Sequence, residues 1–192
     1  MQSKLFNNCT RWLPLAVSTL FLLLTFCCVK VSGATYTSVG TTLTDGKSYI
    51  LVANGTTAVK AETAGSNWIA GVDVSDDIDG STLTTTATNI VWVAKKYDDG
   101  KGNITWSFKN GSSYITNGSG STYRNMSYSD TESKFKINSS KIYSTGATTK
   151  WLQYNSTGFR MYDSSTGDGG TFVFYQLDEG STKTLVFMDS PF

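Results

Sequence analysis

Short runs in which apolar and polar residues alternate recur along the chain, separated by clusters of Gly, Asn and Asp. The clearest are residues 104–108, which place Ile104, Trp106 and Phe108 on one face, and residues 134–138. A period of two is that of a β-strand with one buried face. No stretch between residues 35 and 177 has the sustained 3.6-residue apolar period of an amphipathic helix. The pattern therefore predicts an all-β domain.

A short phrase occurs twice in the sequence. Asp45-Gly46 precedes Lys-Ser-Tyr-Ile, and Asn110-Gly111 precedes Ser-Ser-Tyr-Ile. Asp-Gly and Asn-Gly pairs between apolar runs favour tight hairpins, because a type I′ turn needs positive φ at both central residues. The same turn followed by the same aromatic and aliphatic pair predicts a repeated β unit.

The repeat extends over the chain as three units of about 40 residues, each with four predicted strands. The predicted strands are 36–43, 49–53, 58–61 and 90–95 in the first unit, 104–109, 113–116, 123–128 and 135–138 in the second, and 141–144, 151–154, 159–162 and 171–177 in the third. Aromatic residues close the units at Trp92, Phe135 and Phe174. Units of this kind resemble the β-trefoil, and a β-sandwich with a similar number of strands is the alternative.

The amino-terminal segment, residues 1–34, has the pattern of a secretory signal peptide. It combines the basic residues Lys4 and Arg11 with an apolar run, and it ends in the small residues Ser32 and Ala34. These features predict a cleaved leader, and the alternative is an uncleaved membrane anchor.

Two further segments interrupt or follow the repeat. Residues 62–89 are predicted as an insertion in the first unit of a domain that spans residues 35–178. The tail, residues 179–192, contains an apolar run at 184–188 that predicts an extra strand able to pair with the domain edge or with another chain. The alternative for the tail is a partly ordered terminus.

Charge and composition exclude several classes of function. Leader cleavage removes three of the 16 basic residues and no acid, which leaves 13 basic against 15 acidic residues and no electrostatic footprint for nucleic acid. All three cysteines lie in the leader, at Cys9, Cys27 and Cys28, and the chain has no histidine. Ser-His-Asp and Cys-His catalysis and zinc bound by His or Cys are therefore excluded, and we predict a protein that is not an enzyme.

The predicted insertion carries a cluster of carboxylates. Its members are Asp73, Asp76, Asp77 and Asp79. Carboxylates on a flexible loop are the oxygen ligands that Ca²⁺ prefers, so calcium is the cofactor that this cluster predicts. A solvated acidic loop is the alternative, because Thr86 stands where an EF-hand loop has its bidentate Glu.

Two segments contain candidate ligand-binding residues. Asn67 and Trp68 lie in a Gly/Ser/Asn-rich stretch, where an indole face can stack on a sugar ring while an amide bonds its hydroxyl groups. The alternative is that Trp68 covers the core. Residues 151–162 have large side chains on both strand faces, so some must meet solvent or a ligand. The candidates in that segment are Trp151, Tyr154 and Arg160.

The Asn-Gly turn before Tyr-Ile and the closing run Phe-Val-Phe-Tyr-Gln-Leu at residues 172–177 resemble the trefoil modules of secreted lectins. The chain is most similar to the divergent ricin-B-like modules of bacterial cell surfaces, over about residues 36–177. The Gln-x-Trp signature of that family is missing, since Gln153 is followed by Tyr-Asn and Gln176 by Leu-Asp. The resemblance therefore supplies no ligand positions.

This resemblance implies a secreted or cell-surface, non-enzymatic module that binds carbohydrate or a cell-surface glycoconjugate, or that mediates surface adhesion. Nucleic acid is not an expected partner, and no membrane contact is expected once the leader is removed. Two other functions fit the sequence: a structural surface protein that assembles through its C-terminal strand, and a trefoil-type protease inhibitor that presents residues 62–89.

Overall fold

Among the residues that the structure describes, sixteen β-strands form a single hydrogen-bonded sheet system. The computed structural model describes residues 33–118, 123–163 and 170–181, and within these ranges there is no α-helix. The strands are β1 (Ala34–Ser38), β2 (Ser48–Ala53), β3 (Thr57–Ala64), β4 (Trp68–Asp73), β5 (Ile78–Asp79), β6 (Thr82–Thr85), β7 (Val91–Asp98), β8 (Ile104–Asn110), β9 (Ser113–Asn117), β10 (Tyr123–Arg124), β11 (Met126–Ser129), β12 (Phe135–Asn138), β13 (Lys141–Ser144), β14 (Ala147–Asn155), β15 (Gly158–Tyr162) and β16 (Phe172–Leu177). A 3-10 helix covers Ser75–Asp77. The predicted all-β class is confirmed.

Strand pairing follows one pattern three times, in the groups β2-β3-β4-β7, β8-β9-β11-β12 and β13-β14-β15-β16. In each group the second strand pairs antiparallel with the first and with the third. The fourth strand pairs with the first strand of the next group. In the first two groups the fourth strand also forms a ladder with its own first strand. In the third group Phe172 N–H donates to the carbonyl of Ser140, the residue just before β13, at 2.7 Å.

The main core is built from all the strands of these groups, and the first and fourth strands supply most of its aromatic side chains. The predicted closing residues Trp92, Phe135 and Phe174 are all fully buried there. Phe108 joins two of them, with its ring centroid 6.4 Å from that of Phe135 and 6.2 Å from that of Phe174. Burying a large apolar side chain of this kind contributes about 1.5–3 kcal/mol, so the aromatic interior is a main source of stability.

A second, smaller core covers the outer face of β2 and β16. Along β2, Tyr49 and Leu51 enter the main core, whereas Ile50 and Val52 enter the second one. The second core is closed by β1 and by the segment between β4 and β7, which contribute Tyr36 and Leu83 among others. Because both faces of β2 are covered, its sequence is apolar at consecutive positions rather than at alternate ones.

The first predicted unit differs from the observed one in two respects. Residues 62–89 contain all of β4, which supplies the third strand of the first group, so the segment outside the repeated pattern is shorter than predicted. Strand β1 pairs with β6 and β16 and makes no ladder with β2. The strands of the second and third groups overlap their predicted ranges, but the predicted strand 123–128 is two strands, β10 and β11, and β14 begins at Ala147, four residues before its predicted start.

The repeated turn phrase does not mark equivalent positions. Gly46 N–H donates to the Ala94 carbonyl at 2.8 Å, and the Asp45 carboxylate accepts the Lys96 N–H at 2.7 Å, so this turn docks on β7 instead of closing a hairpin. The second copy does lie in a hairpin, between β8 and β9, where Asn110 pairs with Ser113. Its Tyr-Ile pair is therefore in the second strand of a group, whereas that of the first copy is in a first strand.

Most of the predicted leader and the tail lie outside the described residues, and so does the apolar run at 184–188. Strand β1 begins at Ala34, the last residue of the predicted leader. In the part of the chain that the structure describes, no helix has the length and apolarity needed to cross a membrane.

Candidate functional site

Four half-buried aromatic side chains cross four adjacent strands and form what we call the aromatic strip: Tyr143 on β13, Trp151 on β14, Tyr162 on β15 and Trp68 on β4. Trp151 is the register partner of both Tyr143 and Tyr162. The Tyr143 and Trp151 ring centroids are 6.1 Å apart, and those of Trp68 and Tyr162 are 6.3 Å apart. Neighbouring rings on one face of a sheet thus create a continuous surface that is partly open to solvent.

Residue parity decides which side chains reach this face. Trp151 and Tyr162 pair on the outside, while the next pair along the same ladder, Leu152 and Met161, is fully buried in the main core. Successive side chains of a strand point to opposite faces, so the strip and the core use alternate positions of the same two strands.

Arg160 holds Trp68 in place. Its guanidinium carbon lies 5.0 Å from the centroid of the Trp68 ring, and its Nη2 donates to Asn125 Oδ1 at 2.6 Å. The Arg160 side chain is only 8% exposed, so the cation is largely shielded from water, which strengthens its attraction to the ring face. The ring of Trp68 therefore has a fixed orientation before any ligand arrives.

Trp151 is positioned by a cation on one side and by a glycine on another. The ammonium of Lys141 lies 4.1 Å from the centroid of the indole ring. A Cβ atom added at Gly170 would approach the Leu152 carbonyl oxygen to 2.6 Å and Trp151 Cδ1 to 2.7 Å, closer than such atoms pack, so only glycine allows this arrangement. The missing side chain of Gly170 thus leaves room for this indole next to the start of β16.

Polar groups accompany the rings. Asn155 Nδ2 lies 3.3 Å from the Tyr162 hydroxyl, to which it donates, and both side chains are half-buried. Lys141 and Asn125 add an ammonium and an amide beside Trp151 and Arg160. A surface of aromatic faces with a few fixed donors and acceptors can stack on the apolar face of a sugar ring and bond its hydroxyl groups.

The structure brings together three of the five predicted ligand residues. Trp68, Trp151 and Arg160 belong to the strip or contact it. Tyr154 lies on the opposite face, with its ring 5.1 Å from that of Phe159 and packed against the main core. Its position two strand residues from Leu152 places it on the core side.

Asn67, the residue before Trp68, contributes a backbone hydrogen bond, in which its carbonyl accepts the Met126 N–H at 3.0 Å. Tyr143, Tyr162 and Asn125 were not among the predicted site residues. Tyr162 could have been found by parity, because it lies two residues after Arg160 and so shares its face. Tyr143 and Asn125 come from other strands or loops and have no such local signal.

The four predicted calcium ligands are exposed. The Asp73 carboxylate accepts the backbone N–H of Ser75 at 2.9 Å, and hydrogen bonding from Ser75 lowers the pKa of Asp73. Asp76 and Asp77 lie in the 3-10 helix and Asp79 in β5. Within the described ranges no group of three or more His, Cys, Asp or Glu side chains is arranged to hold a metal ion, and the calcium site stays a prediction of the sequence.

Comparisons with known proteins give no match: no family model, curated protein or solved structure is similar to this chain.

Proposed function

We propose that residues 35–178 form a β-trefoil that acts as a secreted or cell-surface, non-enzymatic module, binding glycans through the aromatic strip. On a cell surface the same activity would produce adhesion to glycan-bearing partners.

The strand pairing supports the trefoil. A trefoil needs three four-stranded units whose first and fourth strands share a barrel, and the threefold pattern of ladders has that order. The second and third strands of the units form three hairpins, and β4, β11 and β15 of these hairpins contact one another. A β-sandwich instead separates its strands into two stacked sheets.

The observation that carries the proposed function is the aromatic strip itself. Single half-exposed aromatic residues are common on protein surfaces, but a group of neighbouring ones marks an interaction site more often, and here four lie side by side across four strands. Trp68 and Trp151 are each held by a cation, which limits the side-chain entropy lost when a ligand binds. The absence of histidine from the whole chain supports a binding rather than a catalytic role.

The test is a neutral-glycan array followed by titration of the best ligand against purified protein. We expect Trp68→Ala and Trp151→Ala each to weaken binding about tenfold, because losing one stacked ring costs about 1.4 kcal/mol. Tyr114→Ala is the matched control, since Tyr114 is a half-buried aromatic residue on β9, outside the strip. Its affinity should equal that of the wild type.

Gly170→Ala provides a second test that leaves every ring in the chain. The added methyl group would meet the Leu152 carbonyl oxygen at 2.6 Å and the Trp151 indole at 2.7 Å, so the local backbone or the indole must shift and binding should weaken although the strip keeps its composition. Circular dichroism of each variant shows whether the domain is still folded. The proposal fails if no neutral glycan binds, or if folded Trp68→Ala and Trp151→Ala proteins bind as the wild type does.

A further inference from the structure

A second surface, on other strands, concentrates positive charge. We call it the cationic patch and define it by Lys95 and Tyr97 on β7, Lys109 on β8, Tyr114 on β9 and Lys134, which immediately precedes β12. Lys95 pairs in register with Ser107, which lies two positions before Lys109. The two lysines therefore lie on the same face of the β7–β8 hairpin. Lys109 in turn pairs with Tyr114.

The patch lysines rest on tyrosine rings. The ammonium groups of Lys134 and Lys95 lie 3.8 Å and 4.9 Å from the centroid of the same Tyr97 ring. The ammonium of Lys109 lies 5.3 Å from the centroid of the Tyr114 ring. Each contact fixes a flexible side chain against the sheet while leaving ammonium protons directed to solvent.

These lysines differ from the ion-paired lysines of the domain. Four lysine–carboxylate pairs occur among the described residues: Lys47–Glu179, Lys60–Glu62, Lys96–Asp98 and Lys150–Asp163. None of them includes a patch lysine. In the part of the chain that the structure describes, several lysines are thus paired with carboxylates, whereas the three in the patch have none at salt-bridge distance.

One carboxylate lies next to the patch. Glu132 accepts hydrogen bonds from the hydroxyl groups of Tyr97 and of Ser107, the latter at 2.7 Å. It faces the charges of Lys95 and Lys134. The bonds to Tyr97 and Ser107 hold Glu132 against the sheet, and three lysines against one glutamate leave the surface positive.

From this arrangement we infer that the cationic patch binds an anionic polysaccharide, one that carries sulfate or carboxylate groups along a sugar chain. Three pre-positioned ammonium groups attract a polymer of repeated negative charges, and the local field persists although acids outnumber bases in the chain after its predicted leader. The Tyr97 ring contacts two ammonium groups and the Tyr114 ring one, so ammonium groups rather than open aromatic faces make up this surface, whereas single-stranded nucleic acid is bound largely by base stacking.

Three immobilised polymers with the same backbone test the inference: dextran sulfate, carboxymethyl dextran and neutral dextran. We expect salt-sensitive binding to one or both charged polymers and none to neutral dextran, with the two charged polymers separating sulfate from carboxylate recognition. Lys95→Gln, Lys109→Gln and Lys134→Gln should each weaken binding about fivefold, the contribution of one lysine near an anionic surface. Lys60→Gln is the control, because it removes the same charge from an ion-paired lysine on β3.

Glu132→Gln gives a test of opposite sign that a damaged fold cannot imitate. Removing the negative charge beside Lys95 and Lys134 should tighten binding to the charged dextrans. The inference is overturned if neither charged polymer binds, if Lys60→Gln weakens binding as much as the patch variants, or if Glu132→Gln does not tighten it. Equal competition by single-stranded DNA or by anionic phospholipid vesicles would also overturn it, by showing a surface that is not selective for sugar chains.

Discussion

Arg160 and Trp68 form the contact that links the buried part of the domain to its aromatic strip: the guanidinium carbon lies 5.0 Å from the indole centroid. The same guanidinium donates to Asn125. We expect Arg160→Ala to lower the free energy of unfolding by about 2–3 kcal/mol, since it removes a nearly buried side chain, a cation–π contact and a charged hydrogen bond. Urea unfolding monitored by circular dichroism measures the loss.

Arg160→Lys separates charge from shape in that contact. Lysine keeps the cation but not the planar fork that both stacks on Trp68 and reaches Asn125, so we expect about half of the loss seen with alanine. Lys101→Ala, at an exposed loop position, should stay within about 0.5 kcal/mol of the wild type. A stability loss no larger for Arg160→Ala than for Lys101→Ala would contradict the anchoring role.

Substitutions in the aromatic interior should lower the free energy of unfolding by more than Arg160→Ala does. Phe108 and Phe174 stack with 20° between their ring planes, and both are fully buried. Phe108→Ala and Phe174→Ala should each cost about 3–5 kcal/mol, through lost burial and the cavity left behind. Ile104 lies at the other end of the same strand, β8, but is 41% exposed, so Ile104→Ala should change stability by less than about 0.5 kcal/mol. Thermal unfolding of the three variants would reveal a similar loss in all of them if the core assignment were wrong.

Local pattern explains why the second and third groups could be predicted from the sequence. Many of their strands alternate polar with apolar residues, as in the run containing Trp106 and Phe108, whose rings both enter the main core. The strand β2 of the first group does not show this alternation. A second core covers the outer face of β2, and the residues that close it come from β1 and β6, which are distant in sequence.

The aromatic strip, like the fold, could be predicted from the sequence only where its residues are close together in the chain. Parity along β14 and β15 separates Trp151 from Tyr154 and pairs Arg160 with Tyr162, so half of the strip was accessible to sequence reasoning. That Trp68 joins them depends on the ladder between β4 and β15, which rests on a single register pair, Phe159 with Ile69. No short-range pattern encodes such a pairing.

The turn between β12 and β13 carries a conformational cost that substitution can remove. Ser139 and Ser140 connect β12 to β13 with φ of 49° and 62°, the left-handed region that a type I′ turn requires and that serine rarely adopts. The turn after β2 meets the same requirement with Asn54 and Gly55. Introducing Asn at 139 and Gly at 140 should therefore stabilise the domain by about 0.5–1 kcal/mol.

The Asn54-Gly55 turn supplies the reciprocal control for this prediction. Gly55 has a φ of 76° and open space around its Cα, so Gly55→Ala meets no atom and pays only the backbone cost. It should destabilise the domain by about 1 kcal/mol. Asn138-Ser139-Ser140 is an Asn-x-Ser glycosylation sequence, which the substitutions at 139 and 140 remove. Chemical denaturation is therefore measured on protein made in a bacterial host, so that loss of a glycan does not affect the comparison. A gain from Gly55→Ala, or a loss from the Ser139→Asn, Ser140→Gly protein, would exclude strain as the cause.

Glu132 links stability to pH. The hydrogen bond from Tyr97 is the largest of the effects that lower the pKa of Glu132, followed by the bond from Ser107 and the charges of Lys95 and Lys134. A carboxylate whose pKa is lower in the folded than in the unfolded protein stabilises the fold above its unfolded-state pKa, about 4.3, and this contribution is lost as the pH falls through the folded-state value.

Glu132→Gln should therefore be less stable than the wild type at pH 7, by about 0.5 kcal/mol for a surface group of this kind, and the difference should shrink towards zero as the pH falls below about 4. Comparing the two proteins at each pH cancels the titration of the other carboxylates that they share. Tyr97→Phe removes the strongest of the hydrogen bonds, so it should raise the pKa of Glu132 towards its ordinary value in a carbon-detected NMR titration. If the stability difference stayed constant from pH 7 to pH 3, or if Tyr97→Phe left the Glu132 titration unchanged, the hydrogen bond would not be the source of the coupling.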